Sequence, residues 1–389
     1  MLDFTFNTPT TVYFGRDKHL EVGKIINSLG YKKIMILYGK RSIIKSGLLN
    51  QVIKVLNEYN IEFIKMGGVE PNPKIEFVRD AIKVAKDNQV DLILAVGGGS
   101  TIDSSKYTAL GAKYNGDVMD FALGKAVPTD AIPVGCILTH SAAGSEMSCS
   151  AVITDLSINK KKGCTTQFNR PKFAIMNPEL TFSVSKYQTA CGIVDIMSHT
   201  MERYFTLCPP TPLTDGIAES LLRSVIEAGK KVMENPTDYD ARATIMWASS
   251  LSHNGLTGCG REEFLAVHQL EHALSGEFDS VAHGAGLAVL FPAWAKYVYK
   301  ANLPRFATFA RNVWGVNEID DEKASLKGIE KMSEFFISLG MPKSLREFGI
   351  EGGKEDRLAD LCTNFKSRTI KSQKMLGFSE CKEIFESCY

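Results

Sequence analysis

The first half of the chain alternates between short apolar runs and longer amphipathic stretches. KKIMILYG (32–39) is an apolar run ending in glycine and predicts a buried parallel strand. SIIKSGLLNQVIKVLNEYN (42–60) follows with apolar residues at helical spacing. IEFIKMGGV (61–69) predicts the next strand and KIEFVRDAIKVAKDNQ (74–89) the next helix. DLILAVGGG (91–99) predicts a third strand, running into a third helix at STIDSSKYTALGAKY (100–114). Further strands are predicted at AIPVGCIL (131–138), AVITD (151–155) and FAIMNP (173–178). This alternation predicts a parallel sheet with helices on both faces. Beyond about residue 182 the strand-like runs fade and helical periodicity takes over. The pattern therefore predicts an α/β N-terminal domain over 1–182, a candidate dinucleotide-binding domain only if the chemistry below supports it, and an all-α C-terminal domain over 183–389.

Composition narrows the function without choosing it. A chain of 389 residues accommodates two domains. Lys and Arg (45) nearly balance Asp and Glu (44), so neither nucleic acid nor an acidic membrane is an expected partner. The start, MLDFTFNTPTTVYFG, has no basic stretch followed by an apolar core, so no signal peptide is expected. No apolar run approaches the roughly 20 residues of a membrane-spanning helix. The nine cysteines are scattered, with no CxxC pair. That pattern fits free thiols in a reducing compartment, and a cytoplasmic location is expected.

The first candidate chemistry lies in VGGGSTIDSSK (96–106), where a buried strand turns into a helix. Glycines there let the backbone approach a phosphate, and the helix start offers N–H groups and a favourable dipole. The plain alternative is a tight strand–helix turn that binds nothing. The stretch is neither GxGxxG nor a Walker loop. YGKRS (38–42) follows the first strand and has no acid to accept from a ribose 2′-hydroxyl. Gly39, Lys40, Arg41 and Ser42 would suit a 2′-phosphate, or form a solvated basic turn.

The second lies in the helical half. GIVDIMSHTME (192–202) places Asp195 and His199 four apart, on one helix face and about 6 Å apart along its axis. VHQLEH (267–272) does the same for His268 and His272, and His283 follows before a glycine-rich helix start. One carboxylate with three imidazoles suits a divalent ion such as Fe(II) or Zn(II). HQLEH also matches the H-x-x-E-H signature of a zinc metallopeptidase, a reading that leaves GGGS and the α/β half unexplained.

Together VGGGSTIDSSK, SEMSCSAVITD, GIVDIMSHTME and VHQLEHALSGEFDSVAHGAGLAVLFPAWAKYV make the chain resemble the iron-containing (group III) alcohol dehydrogenases over nearly its whole length. The resemblance is strongest to their NADPH-dependent butanol dehydrogenase and aldehyde reductase branch. It implies a dehydroquinate synthase-like fold and an EC 1.1.1.- activity on a small aldehyde or primary alcohol such as butanal or butanol. It implies NADP(H) in preference to NAD(H), and one divalent metal, Fe(II) or Zn(II). It also implies a homodimer with FTFNTPTTVYFG pairing across the interface. Polyol and glycerol-type dehydrogenases share the fold and form the alternative.

Carried over by position, the resemblance implies that Asp195, His199, His268 and His283 ligate the metal. His272 would lie by the nicotinamide and substrate as the candidate catalytic proton relay, and Glu271 would matter least to the chemistry. Gly98, Gly99, Ser100 and Asp103 match the pyrophosphate loop and its helix, and Gly39 and Ser42 match the ribose pocket. Thr139, Lys161 and Leu180 match further cofactor contacts. The chain departs from the family pattern at Ala143, where Thr is usual, at Ser148, where Asn is frequent, and at Lys40 and Arg41, which replace glycines.

Overall fold

The computed structural model describes residues 1–157 and 160–389. Two compact units divide the chain: Asn7–Ser183, and Val184–Tyr389 together with Met1–Phe6.

The first unit holds the strands β1 (Thr11–Phe14), β2 (Lys33–Gly39), β3 (Glu62–Val69), β4 (Leu92–Gly97), β5 (Val134–Leu138), β6 (Ser150–Asp155), β7 (Lys160–Thr165) and β8 (Phe173–Met176). Six of them form one sheet in the order β1-β8-β5-β4-β2-β3, and every neighbouring pair is parallel. Successive strand residues face opposite sides. Ile34 and Ile36 accordingly pack with Val52 and Leu56, while Met35 and Leu37 pack with Ala81 and Ala109. Helices thus cover both faces, and β4, buried along its whole length, reads as one apolar run.

Two local expectations are corrected. The predicted helix over 42–60 is two helices, Ser42–Lys45 and Leu48–Glu58. Gly47 separates them at φ 78°, a left-handed conformation that continues no helix. The strand expected at 151–155 exists but lies outside the main sheet, paired antiparallel with β7. β7 (KKKGCT) is too polar to show an apolar signal, and β1 is a four-residue edge strand beside β8. Residues 11–14 of the segment expected at a dimer interface are therefore part of this chain's own sheet.

The second unit is helical. Its centre is the helix Lys186–Tyr204, buried at every position from Thr189 to Tyr204. A helix buried all round is a core helix, and its polar residues need partners. Ser185 caps it by accepting from the Gln188 N–H, and Asp238 and Asp320 cap two later helices in the same way. Pro212–Glu234, Tyr239–His253, Ala266–Glu277 and His283–Val298 follow in the chain. Phe205 and Phe306 stack at 4.2 Å in its apolar core, beside Trp294 and Phe309. Among the described residues no helix is long and apolar enough to cross a membrane. All nine cysteines are free.

Candidate functional site

Three helices of the second unit carry the candidate ligands. Asp195 and His199 sit one turn apart on Lys186–Tyr204, His268 is in the first turn of Ala266–Glu277, and His283 is the first residue of His283–Val298. Their inner atoms converge. Asp195 Oδ1 lies 3.4 Å from His199 Nε2, 3.5 Å from His268 Nε2 and 3.7 Å from His283 Nε2. A tetrahedral ion with bonds of about 2.0–2.1 Å needs ligand–ligand edges of about 3.4 Å. Asp195 and His268 are about 95% buried, yet Asp195 Oδ1 and His268 Nε2 make no hydrogen bond. Buried polar atoms left this way are costly, and a cation between them would satisfy both. The four predicted metal residues therefore come together, and they fit a divalent ion.

A second layer of carboxylates faces the outer ring nitrogens. Glu202 Oε2 bonds His268 Nδ1, and Glu271 Oε2 bonds His283 Nδ1. Glu202 also accepts from the Val267 N–H. A carboxylate at Nδ1 holds the proton there, so Nε2 presents its lone pair to the cluster. Glu271, expected to matter least to the chemistry, has its fully buried carboxylate against the candidate ligand His283. Sequence spacing could not reveal either partner, because Glu202 and His268 are 66 residues apart and Glu271 reaches across to the next helix.

The electrostatics of two of the imidazoles run in opposite directions. Burial, reinforced by His253, His268 and Arg203, holds His199 well below the ordinary histidine range, so its lone pair stays available. Burial also disfavours a charged ring at His268, but Glu202 and Asp195 outweigh it and lift that pKa to about 9. The same carboxylates that draw a proton would draw a metal cation. His253, which sequence reasoning did not single out, packs its ring against His199 at 4.0 Å, tilted by 51°, and contacts Arg203 at 3.0 Å. His272 lies outside the Asp195–His199–His268 group and instead forms a second cluster of possible ligands with Glu271 and His283; it is half-buried, with its ring 5.7 Å from that of His283.

Two glycines set how closely these helices approach. A Cβ at Gly284 would lie 2.1 Å from the Cys191 carbonyl oxygen, one turn before Asp195. A Cβ at Gly286 would lie 3.1 Å from Glu271 Cγ. The HGAG sequence thus seats His283 against the core helix and Glu271 behind it.

In the first unit, β4 runs into the helix Gly99–Ala112, whose cap residue is Gly98 and whose start has no side-chain cap. A Cβ at Gly99 would meet only Ala143 Cβ, at 3.7 Å, so the helix start leaves room for a bound group. Gly39 ends β2, Ser42 opens the next short helix, Thr139 follows β5 and donates its N–H to the Gly97 carbonyl, and Leu180 lies in the turn after β8. These strands are neighbours, so Gly39, Ser42, Gly98, Gly99, Ser100, Thr139 and Leu180 gather along the carboxyl edge of one sheet, where α/β folds bind ligands.

Lys161 stands apart on the β6–β7 ladder, donating to Asn72 Oδ1 at 3.2 Å. Asn72, another residue not anticipated, takes φ 52°. Asp103 has both oxygens engaged, by Ser145 Oγ at 2.6 Å and the Val152 N–H at 2.9 Å. The wholly buried Lys106 donates to the same Ser145 Oγ and to the carbonyls of Ser148 and Ser150. Asp103 and Lys106 thus tie the helix to the segment 145–152. Ser148 Oγ, one of the departures from the family pattern, accepts from the Ser150 N–H in that segment.

A glycine turn on a parallel sheet, and a helical unit with one carboxylate and three imidazoles, are the parts that a metal-dependent oxidoreductase requires. Residues 9–178 match the model of iron-containing alcohol dehydrogenase, and residues 189–385 match the C-terminal model of that family. The chain belongs to the iron-containing alcohol dehydrogenase family. It is 41% identical to NADH-dependent butanol dehydrogenase A of Clostridium acetobutylicum, covering 100% of both chains. It is 33% identical to the NADPH-dependent aldehyde reductase YqhD of Escherichia coli, over 90% of both. The crystal structure of NADH-dependent butanol dehydrogenase A from Thermotoga maritima superposes with a TM-score of 0.96 at 37% identity, covering 100% of this chain and 99% of that one. The protein is an alcohol dehydrogenase or aldehyde reductase of this family.

Proposed function

We propose that the protein interconverts small aldehydes and primary alcohols, butanal and butanol among them, using NADPH in preference to NADH. The observation that carries this reading is the set of three Nε2 atoms around the unpartnered Asp195 Oδ1. A divalent ion, Fe(II) or Zn(II), held by Asp195, His199, His268 and His283 supplies a Lewis acid for the carbonyl oxygen, and the nicotinamide supplies the hydride. One carboxylate among four ligands cancels only one positive charge, so the ligand set leaves the centre electrophilic. Glu202 and Glu271 hold His268 and His283 in the tautomer that ligation needs. The open N–H groups at Gly99 and Ser100 are assigned to the pyrophosphate. His272, beside His283 and half-exposed, is assigned to proton relay.

The NADPH preference rests on the turn Gly39–Ser42, which carries Lys40 and Arg41 and no acid. The relatives divide on this point, with NADH for the butanol dehydrogenase and NADPH for the reductase. The dimer expected from the family is retained as part of the same proposal.

The test is an anaerobic panel of straight-chain, branched and hydroxylated aldehydes, with NADPH and NADH, on metal-free protein restored with each ion. Butanal-dependent loss of NADPH absorbance is expected only after metal is restored. If no aldehyde oxidises either coenzyme with either ion, the proposal is lost. His272→Gln should lower kcat and change its pH profile while metal content stays at wild type.

A further inference from the structure

The end of β2 lacks the carboxylate that commonly receives an adenosine ribose, yet the tertiary structure supplies one from elsewhere. β4, with the glycine turn, neighbours β2, and β2 neighbours β3. Adjacent strands lie about 4.8 Å apart, so a nucleotide whose pyrophosphate rests at Gly98–Ser100 places its adenosine ribose near the ends of β2 and β3. The ladder shifts register after Tyr38, which sets Gly39 opposite Val69. The next residue on each strand is then Lys40 and Glu70. Their charged ends meet, with Lys40 Nζ 2.5 Å from Glu70 Oε1, and the two side chains are 61% and 46% exposed. Arg41 is exposed beside them.

We propose that the Lys40–Glu70 pair determines coenzyme choice. The proposal rests on the nicotinamide reading of the glycine turn. Glu70 stands in for the acid missing from β2: it accepts from the 2′-hydroxyl of NADH and repels the 2′-phosphate of NADPH. Lys40 does the opposite, attracting the phosphate while neutralising Glu70. Because each residue restrains the other, the preference for NADPH is modest, and both coenzymes bind.

The sign of each change follows from charge alone. Removing Glu70's charge frees Lys40 and Arg41 for the phosphate and deprives the 2′-hydroxyl of its acceptor. Removing Lys40's charge leaves Glu70 bare. A unit charge about 6 Å away in water corresponds to roughly threefold in affinity, and more when a hydrogen bond is also lost. The test measures Kd for NADPH and for NADH by fluorescence titration of the metal-loaded protein at low ionic strength. Wild type, Glu70→Gln and Lys40→Ala are compared.

Glu70→Gln should raise the ratio of NADPH to NADH affinity by about fivefold, and Lys40→Ala should lower it by about threefold. Both shifts should shrink in roughly 1 M salt, where screening acts within about 3 Å. Ratios within twofold of wild type in both variants would overturn the inference while leaving the dehydrogenase reading intact. Wild-type protein that binds neither coenzyme would overturn both.

Discussion

Around Asp195 the protein gathers three imidazoles and two further carboxylates, while at Gly99 it leaves the helix start open, with only Ala143 Cβ near. The first site is made of buried side chains on separate helices, so its geometry depends on how closely those helices cross. The second is made of main-chain N–H groups at a helix start, so its geometry depends on nothing standing in front of them. The sites should therefore fail in opposite ways. Losing or displacing a side chain damages the metal cluster, whereas adding atoms damages the nucleotide turn.

The largest effect should come from His268→Ala. It removes a ligand and leaves Glu202 buried without its imidazole. Metal content by elemental analysis should fall close to zero, and aldehyde reduction by roughly 10³-fold. Near-stoichiometric metal in this variant would mean that the cluster is not the binding site.

Gly284→Ala tests whether helix approach builds the cluster. The new Cβ would meet the Cys191 carbonyl at 2.1 Å, so the helices must part. Stability should drop by about 1–3 kcal/mol, and metal affinity by about 100-fold. Gly276→Ala is the control. It lies on the same helix as His268 with open space around it, and should stabilise slightly, by about 0.5–1 kcal/mol. Equal metal affinity in the two variants, read by chelator competition, would remove helix crossing from the account.

A smaller loss, about 10- to 100-fold in metal affinity, is expected for Glu271→Gln, which keeps the shape behind His283 and removes the charge. Unchanged affinity would restore Glu271 to a bystander.

The smallest effect sharpens the comparison from the other side. Gly99→Ala has room in the fold, 3.7 Å from Ala143 Cβ, so the melting temperature should hold. The added methyl faces the position assigned to the pyrophosphate, so NADPH Kd should rise about tenfold, or 1.4 kcal/mol, with metal content unchanged. A parallel loss of metal would mean that the two sites are not independent.

Much of both sites was legible because it is local. Apolar runs marked β2, β4, β5 and β8 since a buried parallel strand needs apolar residues on both faces, and the half-exposed edge strand β3 showed as a weaker run. The i, i+4 spacing marked Asp195 with His199, and the glycines marked the strand–helix turn. The illegible parts are short, polar or long-range. β7 is rich in lysine, β1 is four residues long, and the break at Gly47 turns on one left-handed φ within an otherwise periodic stretch. H-x-x-x-H spacing could not separate His268, whose Nε2 points at Asp195, from His272, whose ring lies 6.5 Å from that of His268 and 5.7 Å from that of His283.

By itself the sequence marked the apolar strands, the α/β and helical halves and, with the family resemblance, the four candidate ligands, because periodicity and residue chemistry act within a few turns of the chain. Only the tertiary structure decided that three Nε2 atoms meet at Asp195 Oδ1, that Glu202 and Glu271 stand behind two of them, and that Glu70 reaches Lys40 across a shifted ladder. Those contacts join residues from different elements. Their distances come from helix crossing and strand register, which no single stretch of the chain encodes.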